Sequence, residues 1–408
     1  MENSCIFTLP VTIWAMILQR LSAKGTLASA VQELVQGNGR ALLSPCKRVV
    51  EDSISSATGA FSQARQRVPV EAVRRITERT FAALHESVPR TELRDRLFIL
   101  DGSSIRLSHT PALLAAYPEA ENQHGKSHWP VMRIAVAHHV LTGLAMAPRF
   151  GPMYGAHAVS EQRLAHELIA QLPADSILIG DRNFGIFAVA CRAVGCGHHV
   201  VLRLTADRAR RLGGGQLSVG TDQQLNWQPS REDRRTWPEL PAQAGISGRL
   251  IVIRPEGAKE DLYLFTTLTE SVEQLAALYK ERWNIETDLR SLKEQVRLHT
   301  IAARSPELVA SELLIAIASY NLIRAAMAEA AQRINLDPRR LSFSRSQDAF
   351  SAFLNAVAYV DSEERFNHHW RILLRGLSQC KLPQRHRPPA PRAIWPKPQT
   401  FPTRKVQR

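Results

Sequence analysis

Leu97-Phe98-Ile99-Leu100-Asp101-Gly102-Ser103-Ser104-Ile105-Arg106-Leu107 is where the sequence changes its period. Four apolar residues run straight into an aspartate, after which Ile105 and Leu107 alternate with polar neighbours, the pattern of a strand that turns into its neighbour. Upstream, Val11 to Leu21, Thr26 to Gln36, Ser53 to Arg67 and Pro69 to Glu86 carry helical spacing, with Val70, Val73, Ile76 and Phe81 recurring along the last run. Downstream, Val131 to Val140 and Leu144 to Phe150 flank the short break Leu141-Thr142-Gly143, a hairpin. Ser160 to Leu172 then reads as an amphipathic helix, Ser176 to Gly180 as a buried strand, Phe184 to Val194 as a helix and Val200 to Leu204 as a strand. The order βββαβαβ predicts an α/β chain, a mixed sheet with helices packed on it.

The element pattern divides the chain further. Residues 1–90 form a helical domain, 91–204 and 271–304 the α/β core, 205–270 a β-rich insertion, 305–380 a helical region and 381–408 a tail. The insertion is the weakest stretch, with glycines at 213 to 215 and a polar run from Trp227 to Trp237 before Arg249 to Arg254 and Leu262 to Thr267 alternate like strands. One long helix returns the chain to the core, from Ser271, an N-cap with Gln274 at the third position, to about Val296.

Charge bounds the partners. Lys and Arg number 52 against 38 Asp and Glu, a formal +14, so a polyanion is the first candidate. Eight of those cations lie in the tail, at Lys381, Arg385, Arg387, Arg392, Lys397, Arg404, Lys405 and Arg408, with no acid beside them; it is either a solvated end or a phosphate-contacting arm. Five cysteines, an odd number in a chain of 408 residues, point to reduced thiols in a cytoplasmic compartment. Val11 to Leu18 is too short to span a bilayer, and the apolar run Leu308 to Ile323 is broken by Glu312 and Asn321, so a soluble protein with no membrane partner is expected.

Asp101 and Asp181 each follow a buried strand, at the rim where open α/β sheets bind ligands. Singly, each also suits a turn, Asp-Gly being a common turn dipeptide. Tyr279, Arg282, Glu286 and Lys293 fall in a stripe about 60° wide on a helix advancing about 100° per residue. Such a stripe is either a solvated face or the border of a site. Trp283 lies off it and reads as core.

Taken together these residues resemble the DDE transposases of the insertion-sequence-4 group, relatives of the transposases of transposons five and ten. Tyr279-Lys-Glu-Arg282-Trp-Asn-Ile-Glu286 followed by Lys293 matches their Y-(2)-R-(3)-E-(6)-K signature. Ile99-Leu-Asp101-Gly-Ser is similar to their first-aspartate block, Ile179-Gly-Asp181-Arg-Asn-Phe-Gly185 to their second, and Tyr320-Asn-Leu-Ile-Arg324 to a further recurrent stretch. The resemblance implies an RNase H-like catalytic core with a β-rich insertion, an N-terminal DNA-binding domain, and Asp101, Asp181 and Glu286 as catalytic residues and metal ligands. It implies two Mg2+ ions per site, with Mn2+ as substitute, roughly 3.5 to 4 Å apart for an in-line phosphodiester displacement. Arg282 and Lys293 then neutralise phosphates and Tyr279 donates a hydrogen bond to one. Arg203, Arg208, Arg210 and Arg211 line the groove for double-stranded DNA, and Trp227 and Trp237 are either stacking partners for a flipped base or buried tryptophans of a small sheet, the commoner case. The implied function is metal-dependent cleavage and strand transfer at terminal inverted repeats, through hairpin ends, by a homodimer on bacterial nucleoid DNA. A catalytically silent DNA-binding regulator and a nuclease on the same core are the alternatives.

Overall fold

Helices come first in the computed structural model, which describes residues 6–383 apart from 23–24, 89–90, 123–124, 256–257, 259, 299–300 and 358–359. They are α1 (Leu9–Leu21), α2 (Leu27–Val35), α3 (Lys47–Val50), α4 (Gly59–Arg67) and α5 (Val70–Glu86). Proline at the start of α1 and the Thr26 hydroxyl accepting from the Ser29 N–H set two of the helix starts. Ala15, Met16, Ala30, Val31 and Phe61 of α1, α2 and α4 close over Leu314 and Ile315 from the C-terminal half of the chain. Glu312 sits beneath them, fully withdrawn from water, and ion-pairs with both Arg20 and Arg65.

The sheet follows in the order β1 (Leu97–Arg106), α6 (Pro111–Ala116), β2 (Glu119–Asn122), β3 (Gly125–His139), β4 (Arg149–Pro152), α7 (Glu161–Ile169), β5 (Ile177–Gly180), α8 (Phe187–Gly195) and β6 (His199–Leu204). β1 does not turn at Asp101-Gly102. It runs on to Arg106 because β3 offers an unbroken antiparallel partner, pairing Asp101 with Val136 and Arg106 with Val131. On its other side β1 is parallel to β5, and β5 to β6. Residues alternate between two covered faces: Leu97, Ile99, Ile177 and Ile179 meet the C-terminal helices, while Phe98, Leu100 and Leu178 meet α7 and α8.

The segment at 205–270 is not a separate sheet. It contributes α9 (Ala206–Gly213), β7 (Asp222–Trp227), α10 (Arg231–Thr236), β8 (Ile246–Ile253) and β9 (Leu262–Thr266), and β9 pairs antiparallel with β6. One nine-stranded sheet results, ordered β2-β3-β1-β5-β6-β9-β8-β7 with β4 on β3. Without β9, β6 would be an exposed edge with an unsatisfied row of backbone groups, which explains why the insertion adds strands there.

The helix expected from Ser271 to Val296 is interrupted. Ser271 and Gln274 do form a reciprocal capping box at the start of α11 (Val272–Lys280). A 3-10 turn at Glu281–Trp283 then leads to α12 (Asn284–Arg290), and a π-helical turn at Ser291–Gln295 ends it. The last helices are α13 (Pro306–Arg333), α14 (Phe343–Val357) and α15 (Glu363–Ser378). α13 is long and apolar enough to cross a membrane, but 89% of its most apolar window is buried inside the protein, the mark of a core helix. The polar breaks noted in its sequence are satisfied internally, Glu312 by arginines and Asn321 by two 2.8 Å hydrogen bonds with the Ala145 backbone. The basic tail beyond residue 383 lies outside the described residues.

Candidate active site

The parallel ladder between β1 and β5 places the two aspartates. Leu97 pairs with Ile177 and Ile99 with Ile179, and the same register two residues on sets Asp101 level with Asp181. β5 ends at Gly180, so Asp181 opens the turn that follows, its carboxylate accepting from the Asn183 N–H at 2.8 Å and its carbonyl from Phe184 and Gly185. That turn is pinned to β6. A Cβ on Gly185 would lie 2.0 Å from the Arg203 carbonyl oxygen, so only glycine fits, and Arg208 donates to the Gly185 carbonyl at 2.6 Å.

Asp101 accepts one backbone bond, from the Gly102 N–H at 2.8 Å. Burial, with the like charges of Asp181 and Glu161, raises its carboxyl to about 6 against those weaker opposing influences. Among the described residues neither aspartate makes an ion pair. Glu161 gave no signal in the sequence beyond an acid at a helix start; its place here is set by tertiary contact.

A cationic wall stands beside the acids. Tyr279 is buried and its phenol is pushed up to about 12 by that burial, with Arg282, Arg203 and Asp181 in its surroundings. Its hydroxyl and the Arg282 Nε are withdrawn from solvent with no hydrogen-bond partner among the described residues. Both residues line a groove of about 920 Å³ together with Lys280, Trp283, and Arg203 and Arg254, the last two ion-paired with Glu260 and Asp261 on the same lining.

The other expected site residues fare differently. Glu286 is exposed on α12 and makes no hydrogen bond or ion pair among the described residues, where no three acidic, histidine or cysteine side chains are set to hold a metal ion. Arg208 is spent on Gly185; Arg210 pairs with Asp207 and, with Arg211, is exposed. Trp227 and Trp237 are only 3% and 4% exposed, which removes them as stacking platforms. Trp227 packs between Phe187 and Phe265, and Trp237 lies on His166 under Arg163. Trp283, read as core, is instead 56% exposed, with Arg282 over its ring.

α12 is anchored by Asp288, two residues beyond Glu286. Fully buried, Asp288 receives Arg324 at 2.6 Å, Arg339 at 2.5 Å and the Tyr320 hydroxyl at 3.2 Å. The stretch Tyr320 to Arg324 singled out in the sequence thus serves this buried ion cluster.

The site is thus a mixed α/β sheet with two aspartates at one rim, beside a groove whose lining mixes arginine and lysine with acids. Residues 92–322 match the family model described as transposase DDE domain. The chain is similar to the transposase InsG of insertion sequence element IS4 from Escherichia coli (strain K12), 28% identical over 361 residues that cover 85% of this chain and 78% of that protein. A cryo-EM structure of the piggyBac transposase synaptic complex with hairpin DNA aligns with 90% of this chain and 76% of its own at 10% identity and a TM-score of 0.44. The chain belongs to the DDE transposase family, in its insertion-sequence-4 group.

Proposed function

We propose that this transposase cuts the ends of its element and joins them to target DNA by divalent-ion chemistry on an RNase H-like core, with Asp101, Asp181 and Glu286 as ion ligands. Strand order supports the core: antiparallel β4, β3 and β1 are followed by parallel β5 and β6, with an aspartate on the first strand and another just after β5. One observation carries the reading. Asp101 stands beside Asp181 with no pairing cation, its carboxyl raised to about 6, in a chain of the DDE family. Hard carboxylate oxygens left short of positive charge fit hard divalent ions.

Bound there, Mg2+ or its substitute Mn2+ would activate a water or 3′-hydroxyl and stabilise the leaving oxygen of an in-line displacement. Glu286, exposed on α12, completes the ligand set when its side chain turns inward from the anchored helix. Tyr279 and Arg282, side by side on the groove, supply the donors that a scissile phosphate needs. Arg203 and Lys293 add charge beside them, and exposed Arg210 and Arg211 contact the duplex backbone further out. Two element ends require two protomers, with α14 and α15 as the assembly surface because α13 is buried in the core, and second-strand cleavage runs through hairpin ends.

The test separates binding from cutting. Asp101→Ala, Asp181→Ala and Glu286→Ala should each retain a gel shift on terminal inverted repeats and lose strand cleavage. Undiminished cleavage in all three ends this reading. A wild type that binds but cuts in neither Mg2+ nor Mn2+ is a silent regulator, and one that cuts but cannot insert precleaved ends into a supercoiled plasmid is a nuclease.

A further inference from the structure

Glu161 is the first residue of α7, and its side chain reaches back over β1. It lies so close to Gly102 that a Cβ built there would meet Glu161 Cδ at 2.3 Å. Glycine beside Asp101 is therefore a seat rather than a turn. At its other oxygen Glu161 accepts a 2.5 Å hydrogen bond from Asn183 Nδ2, and the Asn183 N–H in turn holds Asp181 Oδ1 at 2.8 Å. Gln162, the next residue of α7, clasps the same asparagine through its side-chain oxygen at 2.6 Å and its carbonyl at 3.0 Å. Glu161 forms no ion pair among the described residues, although Arg163 two positions on is paired with Glu239. Its negative charge adds to that of Asp181 in opposing ionisation of Asp101. Acids from β1, α7 and the turn after β5 thus feel one another's charge, and none of them has a lysine or arginine ion-pair partner among the described residues.

We propose that Glu161 is a fourth carboxylate of the ion site, a positioning residue that seats over Gly102 beside Asp101 and orients Asp181 through Asn183. The proposal rests on the reading of Asp101 and Asp181 as ion ligands. Groups that orient metal ligands are worth on the order of tenfold in ion affinity. Glu161 does this in two ways, by adding negative charge next to the ions and by fixing which oxygen of Asp181 is free to face them. Because Gly102 is the seat, a side chain there must expel Glu161 while leaving every acid in the sequence.

Calorimetric titration of the full chain with Mn2+, without DNA, tests this independently of catalysis. Glu161→Gln should weaken Mn2+ binding on the order of tenfold, Glu161→Asp should restore part of the loss, and Gly102→Ala should reproduce the Gln phenotype. Asn183→Ala, at an exposed position, should weaken it by a smaller factor and carries the test if the others fail to fold. Mn2+ affinity unchanged in Glu161→Gln and Asn183→Ala, with Asp101→Asn losing it, overturns the role of Glu161 and leaves the aspartate site standing. Full affinity in Asp101→Asn overturns both.

Discussion

Asp288 is withdrawn from water and Asp101 is half-buried, and the protein treats the two aspartates in opposite ways. Around Asp288 burial opposes the charge, yet Arg339 and Arg324, with His138 3.8 Å away, hold its carboxyl below the usual range. His138 itself is driven to about 4 by burial and stays neutral. Around Asp101 burial is joined by two like charges and opposed only by one backbone N–H and the more distant Arg282, and the carboxyl still rises to about 6. A buried charge answered from within fixes structure; one left unanswered keeps a place for a cation from outside.

The contrast can be broken at several points. The largest effect belongs to Asp288→Ala, which strands Arg324 and Arg339 in the core and should cost about 3–5 kcal/mol in urea unfolding. Loss of under 1 kcal/mol would mean the cluster is hydrated rather than structural. Trp227→Ala should cost about as much, about 3–5 kcal/mol, through the cavity left between Phe187 and Phe265. A DNA-binding defect without loss of stability would restore Trp227 as a DNA contact.

Asp101→Asn should do the reverse and stabilise the ion-free protein. A carboxylate whose folded value lies near 6, above its ordinary 3.8, favours folding below pH 4 and loses that contribution as pH rises through 6. In EDTA at pH 8 the asparagine variant should therefore unfold later by at most about 3 kcal/mol, two pKa units at 1.36 each, and the gap should close at pH 4. Equal stability at both pH values would remove the unanswered charge. The smallest effect is expected at Trp283→Ala, whose exposed ring should leave stability within about 0.5 kcal/mol by thermal melting.

What the sequence disclosed follows from the range of the forces involved. The capping box at Ser271 and Gln274 is local chemistry and could be read directly. So could the apolar runs of β1 and β5, each ending in or carrying an aspartate. The pairing of β9 with β6 joins residues as far apart as Val201 and Thr266, and periodicity carries no sign of it. Trp227 and Trp283 illustrate the same limit, since both lie among arginines and only tertiary packing buries one and exposes the other. Gly102 was read through its turn propensity because its actual constraint, the Glu161 side chain, comes from 59 positions away. The break at Glu281–Trp283 and the π-helical turn after Arg290 hide from a periodicity that assumes one continuous helix.

The most direct test is anomalous scattering from Mn2+ in crystals of the transposase bound to cleaved element ends. The account predicts metal peaks held by Asp101 and Asp181 with Glu286 turned in from α12 to join them. Peaks away from the two aspartates, or Glu286 still facing solvent in the DNA complex, would contradict it.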